Sequence, residues 1–238
     1  MNQFNNQVAS RPAMDVGLRE FMLGTYRWMM AALAVTTGVA WVVGTQFFDV
    51  IAPLVRSPFV LLGFVIAIPV LFGAIGRKLP TMTKGGMLTF LFGFAAFLGV
   101  FMAAIAVYVP FAIVLKIFLM TVALFAGLSL FGYTTGFNLG SIVKYAFIAF
   151  LAYVVVSVAG AFFPALAPTG TFDLVITGIA LVAISVIIAW ETQHLKNLYY
   201  SVQGNAAIRE NVSIFGAASL LLSFVNLFQI LLSLFGRE

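Results

Sequence analysis

Cysteine is absent from the 238 residues, which excludes disulfides, thiolate metal sites and a cysteine nucleophile. Charge is scarce too. Asp, Glu, Lys and Arg together make up 8% of the chain, where soluble domains carry roughly a quarter. Histidine occurs once, as His194, and no ligand spacing around it gives a transition-metal site. Gly-x-Ser-x-Gly, a phosphate-binding glycine loop and a dinucleotide fingerprint are also missing. These absences leave no active site to assemble, so the expectation is a protein that is not an enzyme and needs no cofactor. The formal charge is +5, yet the basic residues stand singly, with no run or patch. They read as topology signals at a lipid surface and argue against nucleic acid as a partner.

What the chain does have is apolar length. Hydrophobic residues make up 63% of it, and a soluble fold of this size has too little interior to hide them. A lipid bilayer removes the conflict. A spanning helix needs about 20 mostly apolar residues, and seven segments qualify: 21–43, 58–75, 87–109, 110–132, 142–163, 172–190 and 212–235. The breaks between them have physical causes. Gly76-Arg77-Lys78-Leu79-Pro80 is charged and holds a proline, Pro110 divides two spans almost without a loop, and Pro164 and Pro168 break another connection. Lys196 to Asn211 is polar. The alternating polarity of barrel strands is lacking. The fold class expected is therefore all-α, a seven-helix transmembrane domain over 21–238 behind a polar, flexible cytoplasmic tail over 1–20. That tail is unlike a secretory signal, because the apolar stretch behind it exceeds an h-region of about 7–15 residues.

Orientation follows from the basic residues in alternate connections. With the N-terminus inside, the cytoplasmic face receives Arg11, Arg19, Arg27, Arg77, Lys78, Lys84, Lys144, Lys196 and Arg209, nine in all. The outer face receives three: Arg56, Lys116 and Arg237. This split places the N-terminus in the cytoplasm and the C-terminus outside. No repeat of fixed period is visible, and an odd number of spans argues against a simple inverted repeat.

Polar groups inside spans are costly in lipid, which makes them the informative ones. Glu191 lies where the sixth span ends, at or just within the cytoplasmic boundary. Burial and a basic neighbour (Arg77, Lys78 or Lys196) pull the titration of such a carboxyl in opposite directions. A solvated glutamate at a helix end is the plainer reading, though a helix C-terminus is unfavourable to negative charge. In the seventh span Ser219, Ser223, Asn226, Gln229 and Ser233 recur at spacings of 4, 3, 3 and 4, which share a helix face. That stripe either hydrogen-bonds neighbouring helices or lines a hydrated path. Lys116 is close enough to the outer boundary to snorkel. Asp49 and Asp173 lie in outer connections, and Gly93, Gly99, Gly127 and Gly132 read as places where helices approach closely.

Four stretches carry a resemblance to the Bax inhibitor family, the transmembrane BAX inhibitor motif proteins. Trp190-Glu191-Thr192-Gln193 resembles its Tyr-Asp/Glu-Thr-Gln motif, and Leu222-Ser223-Phe224-Val225-Asn226-Leu227-Phe228 its Leu-Asp-Phe-Ile-Asn-Leu-Phe in the last span. Phe131-Gly132-Tyr133-Thr134-Thr135 is similar to the Gly-Tyr-Thr-Thr that ends the fourth span, and Thr25-Tyr26-Arg27-Trp28-Met29-Met30 fits the first helix. The resemblance implies seven helices with the last one central, in a bacterial inner membrane. In the YetJ-type branch it implies pH-sensitive calcium leak, in which two acidic residues of the last two spans share a proton and contact an arginine of the second. Glu191 matches the first acidic position, and would then be a calcium-contacting group. Arg77 matches the arginine, and the second acidic position falls on Ser223. Serine does not titrate in this range, so that shared-proton pair cannot form here. Glu191 then senses pH through Arg77 or water, or the regulation is absent.

The reading that follows is a calcium- or cation-permeable protein with Glu191 as its main ionisable group. Ser223 and Asn226 would line the path, and Arg77 would close it electrostatically. The alternative comes from the YccA-type branch, to which Ser223 is similar: a regulator of a membrane-bound ATP-dependent protease, engaged through the tail, without ion conduction. A proton-coupled transporter of a small solute is a third class.

Overall fold

The structure, a computed structural model, describes residues 16–202 and 204–236. Among them are eight α-helices and no strand: α1 (Val16–Gln46), α2 (Phe48–Val55), α3 (Pro58–Lys78), α4 (Lys84–Tyr108), α5 (Phe111–Thr134), α6 (Gly140–Phe162), α7 (Gly170–Ser201) and α8 (Ala206–Phe235). All but α2 are long and apolar enough to cross a membrane. Each of the seven expected segments coincides with one of them, and the chain is a polytopic membrane protein. A spanning helix satisfies its own backbone groups, which lipid cannot do. Below, the end of the bundle where α1 starts is called proximal and the end where it finishes distal.

Local chemistry sets the helix ends. The Thr83 hydroxyl accepts from the Gly86 amide at 3.2 Å to start α4, and the Asn205 side chain accepts from the Ile208 amide at 3.0 Å to start α8. Pro58 opens α3, where a missing N–H costs nothing. Val109 ends α4 in an extended conformation, the one that the following Pro110 imposes. Gly170, with φ of 57°, turns the chain into α7, a conformation that favours glycine. The unexpected α2 has eight residues with Pro53 inside, too short to span, and lies along α4 with Phe48 edge-on to Tyr108 at 5.4 Å.

α8 is the centre of the bundle. Fifteen of its thirty residues are buried, and it packs on α1, α4, α5 and α7. α3, by contrast, has no buried residue. It is held through rings: Phe64 lies 5.3 and 4.2 Å from Phe97 and Phe101, and Phe72 is 5.2 Å from Phe94 and 5.4 Å from Phe215. α1 and α4 touch at backbone distance. A Cβ on Gly99 would sit 2.7 Å from the Thr36 carbonyl oxygen, and one on Gly44 would sit 2.8 Å from that of Ala103. The Thr36 hydroxyl donates to the Ala95 carbonyl at 2.9 Å across the same seam.

Three expectations need correction. The sixth span does not end at Trp190, because α7 continues eleven residues to Ser201. Leu195 and Tyr199, at a spacing of four, are buried there, with Tyr199 5.3 Å from Phe21 of α1. His194 and Asn197 take the outer face, so the fall in hydropathy marks an amphipathic extension and not a helix end. Glu191 and His194 are therefore inside a helix. Of the four glycines, Gly99 and Gly132 are close-approach sites. Gly93 and Gly127 are exposed, with nothing within 4 Å of an added Cβ. Finally, α1 begins at Val16, so the last five residues assigned to the tail are helical, while 1–15 lie outside the described residues.

Candidate functional site

Glu191 stands twenty-one residues after Gly170 and ten before Ser201, about 31 Å and 15 Å along the axis. A hydrocarbon core is about 30 Å thick, so the carboxyl lies in the proximal part of the bundle. It points at α8. The Ser219 hydroxyl donates to Glu191 Oε1 at 2.5 Å, and Ser223, one turn along α8, also interacts with this carboxyl group. Oε2 is buried without a hydrogen-bond partner among the described residues. On α5 the Ser129 hydroxyl is in the same condition.

The residues flanking Glu191 leave the helix about 100° apart, and each reaches a different element. Trp190 packs on Phe147 of α6 at 5.8 Å and stacks on His194 at 4.9 Å. The Thr192 hydroxyl lies 3.4 Å from that of Tyr26 on α1. Gln193 grips the connection between α5 and α6 with both ends of its amide: Nε2 donates to the Phe137 carbonyl at 2.7 Å, and Oε1 accepts from the Leu139 amide at 3.0 Å. The Lys196 ammonium donates to the Tyr133 carbonyl at 3.1 Å, at the C-terminal end of α5, where a cation is favoured. Beside them Gly132 of α5 meets the backbone of Ala189. The stretch is a hub that fixes α7 to four neighbours around one buried carboxyl.

The spacing of the α8 stripe foretold a shared face. The structure shows that it drifts. Ser219 and Ser223 meet α7, whereas Gln229, ten residues beyond Ser219, is rotated about 80° away and donates to the Met102 sulfur of α4 at 3.6 Å. Asn226 and Ser233, between these limits, are half-buried. Arg77 is exposed at the end of α3, and among the described residues no ion pair joins it to Glu191. Lys116 is exposed near the distal start of α5, and Asp173 lies 3.5 Å from the Thr177 hydroxyl in the first turns of α7.

Residues 18–238 match the sequence profile described as inhibitor of apoptosis-promoting Bax1. The chain belongs to the Bax inhibitor family. An uncharacterized protein of Caulobacter vibrioides is 30% identical over 254 residues, 99% of this chain and 98% of its own. Inner membrane protein YbhL of Escherichia coli is 29% identical over 227 residues, 93% of either chain. A membrane protein of Streptococcus pyogenes is 28% identical over 225 residues, 94% of this chain and 95% of its own. Within this Bax inhibitor fold the motif residues divide their work. Gly132, Thr192, Gln193 and Lys196 hold helices together, and Glu191 carries the ionisable group. Sequence reasoning placed Ser219 in the stripe and not beside Glu191. It missed the grip of Gln193 on a loop fifty residues away, for which the motif itself was the one available signal.

Proposed function

We propose that this protein is a calcium-permeable leak path of the inner membrane, its N-terminus cytoplasmic, controlled by the charge state of Glu191. The observation that carries the reading is the half-satisfied carboxyl at the α7–α8 interface, with Ser219 donating to Oε1, Ser223 beside the group, and Oε2 buried without a hydrogen bond among the described residues. A carboxylate accepts up to about four hydrogen bonds. An ionised Glu191 between these helices is therefore short of donors, and ionisation favours arrangements that admit water or a cation. A neutral carboxyl needs fewer partners and leaves the helices closed. The family's pair of acidic residues is replaced here by one carboxyl with two serines, so control rests on a single proton.

Calcium takes six to eight oxygen ligands. One carboxylate with Ser219 and Ser223 falls short of that number, and among the described residues no group of three His, Asp or Glu converges. Glu191 would thus be a contact along a path and not a resident metal site. Asn226, half-buried further along α8, is the next polar group toward the distal end. Arg77 joins the path only after a movement of α3, the spanning helix without a fully buried residue. The cytoplasmic placement of the proximal end is supported by its eight described basic residues, against Arg56 and Lys116 at the other end.

The test is calcium entry into dye-loaded proteoliposomes, from mildly acidic to neutral pH, for the native protein and Glu191→Gln. Flux in the native protein that varies with pH, and loss of that variation in the variant, is the expected result. Folded protein with no flux above empty liposomes would overturn the conduction, and unchanged pH dependence in Glu191→Gln would overturn the role of the carboxyl.

A further inference from the structure

α8 is the central helix, yet one line along its distal half is open. Gln229 is exposed, and Asn226 and Ser233 are half-buried, although the helix packs on α1, α4, α5 and α7. At about 100° per residue the three lie within about 60° of one another around the helix, so they share a face. Their polar atoms find little to bond. Gln229 reaches the Met102 sulfur at 3.6 Å, a weak acceptor. The Asn226 amide and the Ser233 hydroxyl have no hydrogen bond among the described residues, and neither is sealed from the surface. Ser223, about one turn nearer to Glu191, is buried.

That face looks toward α3. Phe215, eleven residues before Asn226, lies within about 20° of it around α8 and packs on Phe72 of α3 at 5.4 Å. Further distal, the rings of α3 turn to α4, where Phe64 meets Phe97 and Phe101. Depth decides what fills the space beside the stripe. Asn226 is nine residues before the end of α8 at Phe235, about 14 Å along the axis, against a hydrocarbon core of about 30 Å. An amide without a partner is strongly disfavoured in lipid, and polar side chains at such depth face one another or a water-filled cavity. Here the protein supplies no partner, so water does.

We propose that the distal half of the α8 stripe lines a water-filled vestibule, open at the distal end and reaching Asn226, that takes a hydrated cation to within about two turns of the Ser219–Glu191 pair. Calcium takes six to eight oxygen ligands, more than two carboxamides and a hydroxyl offer, so the ion keeps water there. The closed stretch is then the two turns from Asn226 to Ser219, around buried Ser223. Passage of the cation beyond Asn226 rests on the reading of Glu191 given above; the water in the vestibule does not.

The chain has no cysteine, so a single introduced cysteine reports on one position. The experiment is labelling of Asn226→Cys, Gln229→Cys and Ser233→Cys by a membrane-impermeant methanethiosulfonate, read as a mass shift, with thermal unfolding of each variant as the check on folding. The full chain is labelled in spheroplasts and in inverted membrane vesicles. Phe47→Cys marks the distal side and Tyr200→Cys the proximal side, since both positions are exposed. Leu119→Cys is the control at matched depth, on α5 eight residues from its distal start and exposed along the span. The three stripe cysteines are expected to react from the side that labels Phe47→Cys, at least about tenfold faster than Leu119→Cys, because a thiol in lipid neither ionises nor meets the reagent. Ser223→Cys should stay unreactive from that side. Rates at Asn226 and Gln229 no faster than at Leu119, or labelling from the proximal side alone, would overturn the vestibule. Labelling as expected in a protein that passes no calcium supports the vestibule and overturns the leak, and calcium entry without labelling does the reverse.

Discussion

Gly132 of α5 and Ala189 of α7 meet backbone to backbone: a Cβ on Gly132 would lie 2.8 Å from the Ala189 carbonyl carbon and 2.9 Å from its Cα. No L side chain fits that space. Lipid gives helices no hydrophobic reason to associate, so close packing of this kind is a main source of cohesion. Because Ala189 is two residues from Glu191, the contact also sets the height at which the carboxyl faces α8.

Gly132→Ala should therefore destabilise the protein by about 1–3 kcal/mol, the usual range for overpacking, and Gly132→Val by more. Gly127 is the control on the same helix, since an added Cβ there has nothing within 4 Å. Gly127→Ala should be neutral, or slightly stabilising through helix propensity. Unfolding midpoints in detergent decide between them, and equal midpoints for both alanine variants would contradict the role assigned to Gly132.

Ser219→Ala removes the hydroxyl that donates to Glu191 at 2.5 Å. A hydrogen bond to a charged group is worth about 1.5–3 kcal/mol and one to a neutral group about 1 kcal/mol. The loss in stability should accordingly lie between these limits and depend on the charge of Glu191. In combination with Glu191→Gln the two effects should not add, because residues in one hydrogen-bonded network couple by about 0.5–3 kcal/mol. A double-mutant cycle in the unfolding free energy checks this. Strict additivity would mean that the two side chains act separately.

Much of the architecture was legible because a membrane asks a simple question of a sequence. Runs of about 20 apolar residues have one reading, and all seven were found within a few residues at most of their ends. The exceptions are the proximal halves of α7 and α8, which hold Lys196, Arg209, Glu210 and Asn211. There the helices leave lipid but keep one face packed, as Tyr199 on Phe21 shows. Hydropathy reports the solvent, not the backbone. For the site, Glu191 and the serine stripe were visible because polar groups are rare in these spans. The pairing of Glu191 with Ser219 was not, since spacing assigns residues to a face without naming the helix opposite. Gly99 and Gly127 look alike in sequence, and packing alone separates them.

Gln193 joins α7 to the α5–α6 connection through two bonds to backbone atoms of Phe137 and Leu139. Removing the amide in Gln193→Ala leaves that connection with its own turn bond, from the Phe137 amide to the Thr135 hydroxyl at 3.2 Å. The Leu139 amide should then exchange with solvent faster, by roughly ten- to a hundredfold if each lost bond was worth about 1 kcal/mol. Hydrogen exchange read by mass spectrometry over 135–140 gives the answer. Gln193→Glu keeps the acceptor for Leu139 and loses the donor to Phe137, so protection intermediate between native and alanine is expected.

Two contacts at the proximal end separate a bond that holds from one that decorates. Lys84 and Glu210 form an ion pair at 2.6 Å, with side chains 53% and 40% exposed. Exposed pairs are worth about 0–1 kcal/mol and are screened by salt. One residue on, the buried Asn211 donates its side-chain amide to the carbonyls of Leu79 at 3.1 Å and Met82 at 2.7 Å, tying the α3–α4 connection to α8. Those carbonyls belong to the turn after α3, which closes on the Lys78 carbonyl and leaves them free to accept from α8, and a buried donor pair of this kind costs about 1–3 kcal/mol to remove. Asn211→Ala should thus lower the unfolding midpoint clearly at any ionic strength. Glu210→Gln should lower it little, and less still in high salt. If the order were reversed, the α3–α4 connection would be held by charge, and its attachment to α8 would weaken as salt rises.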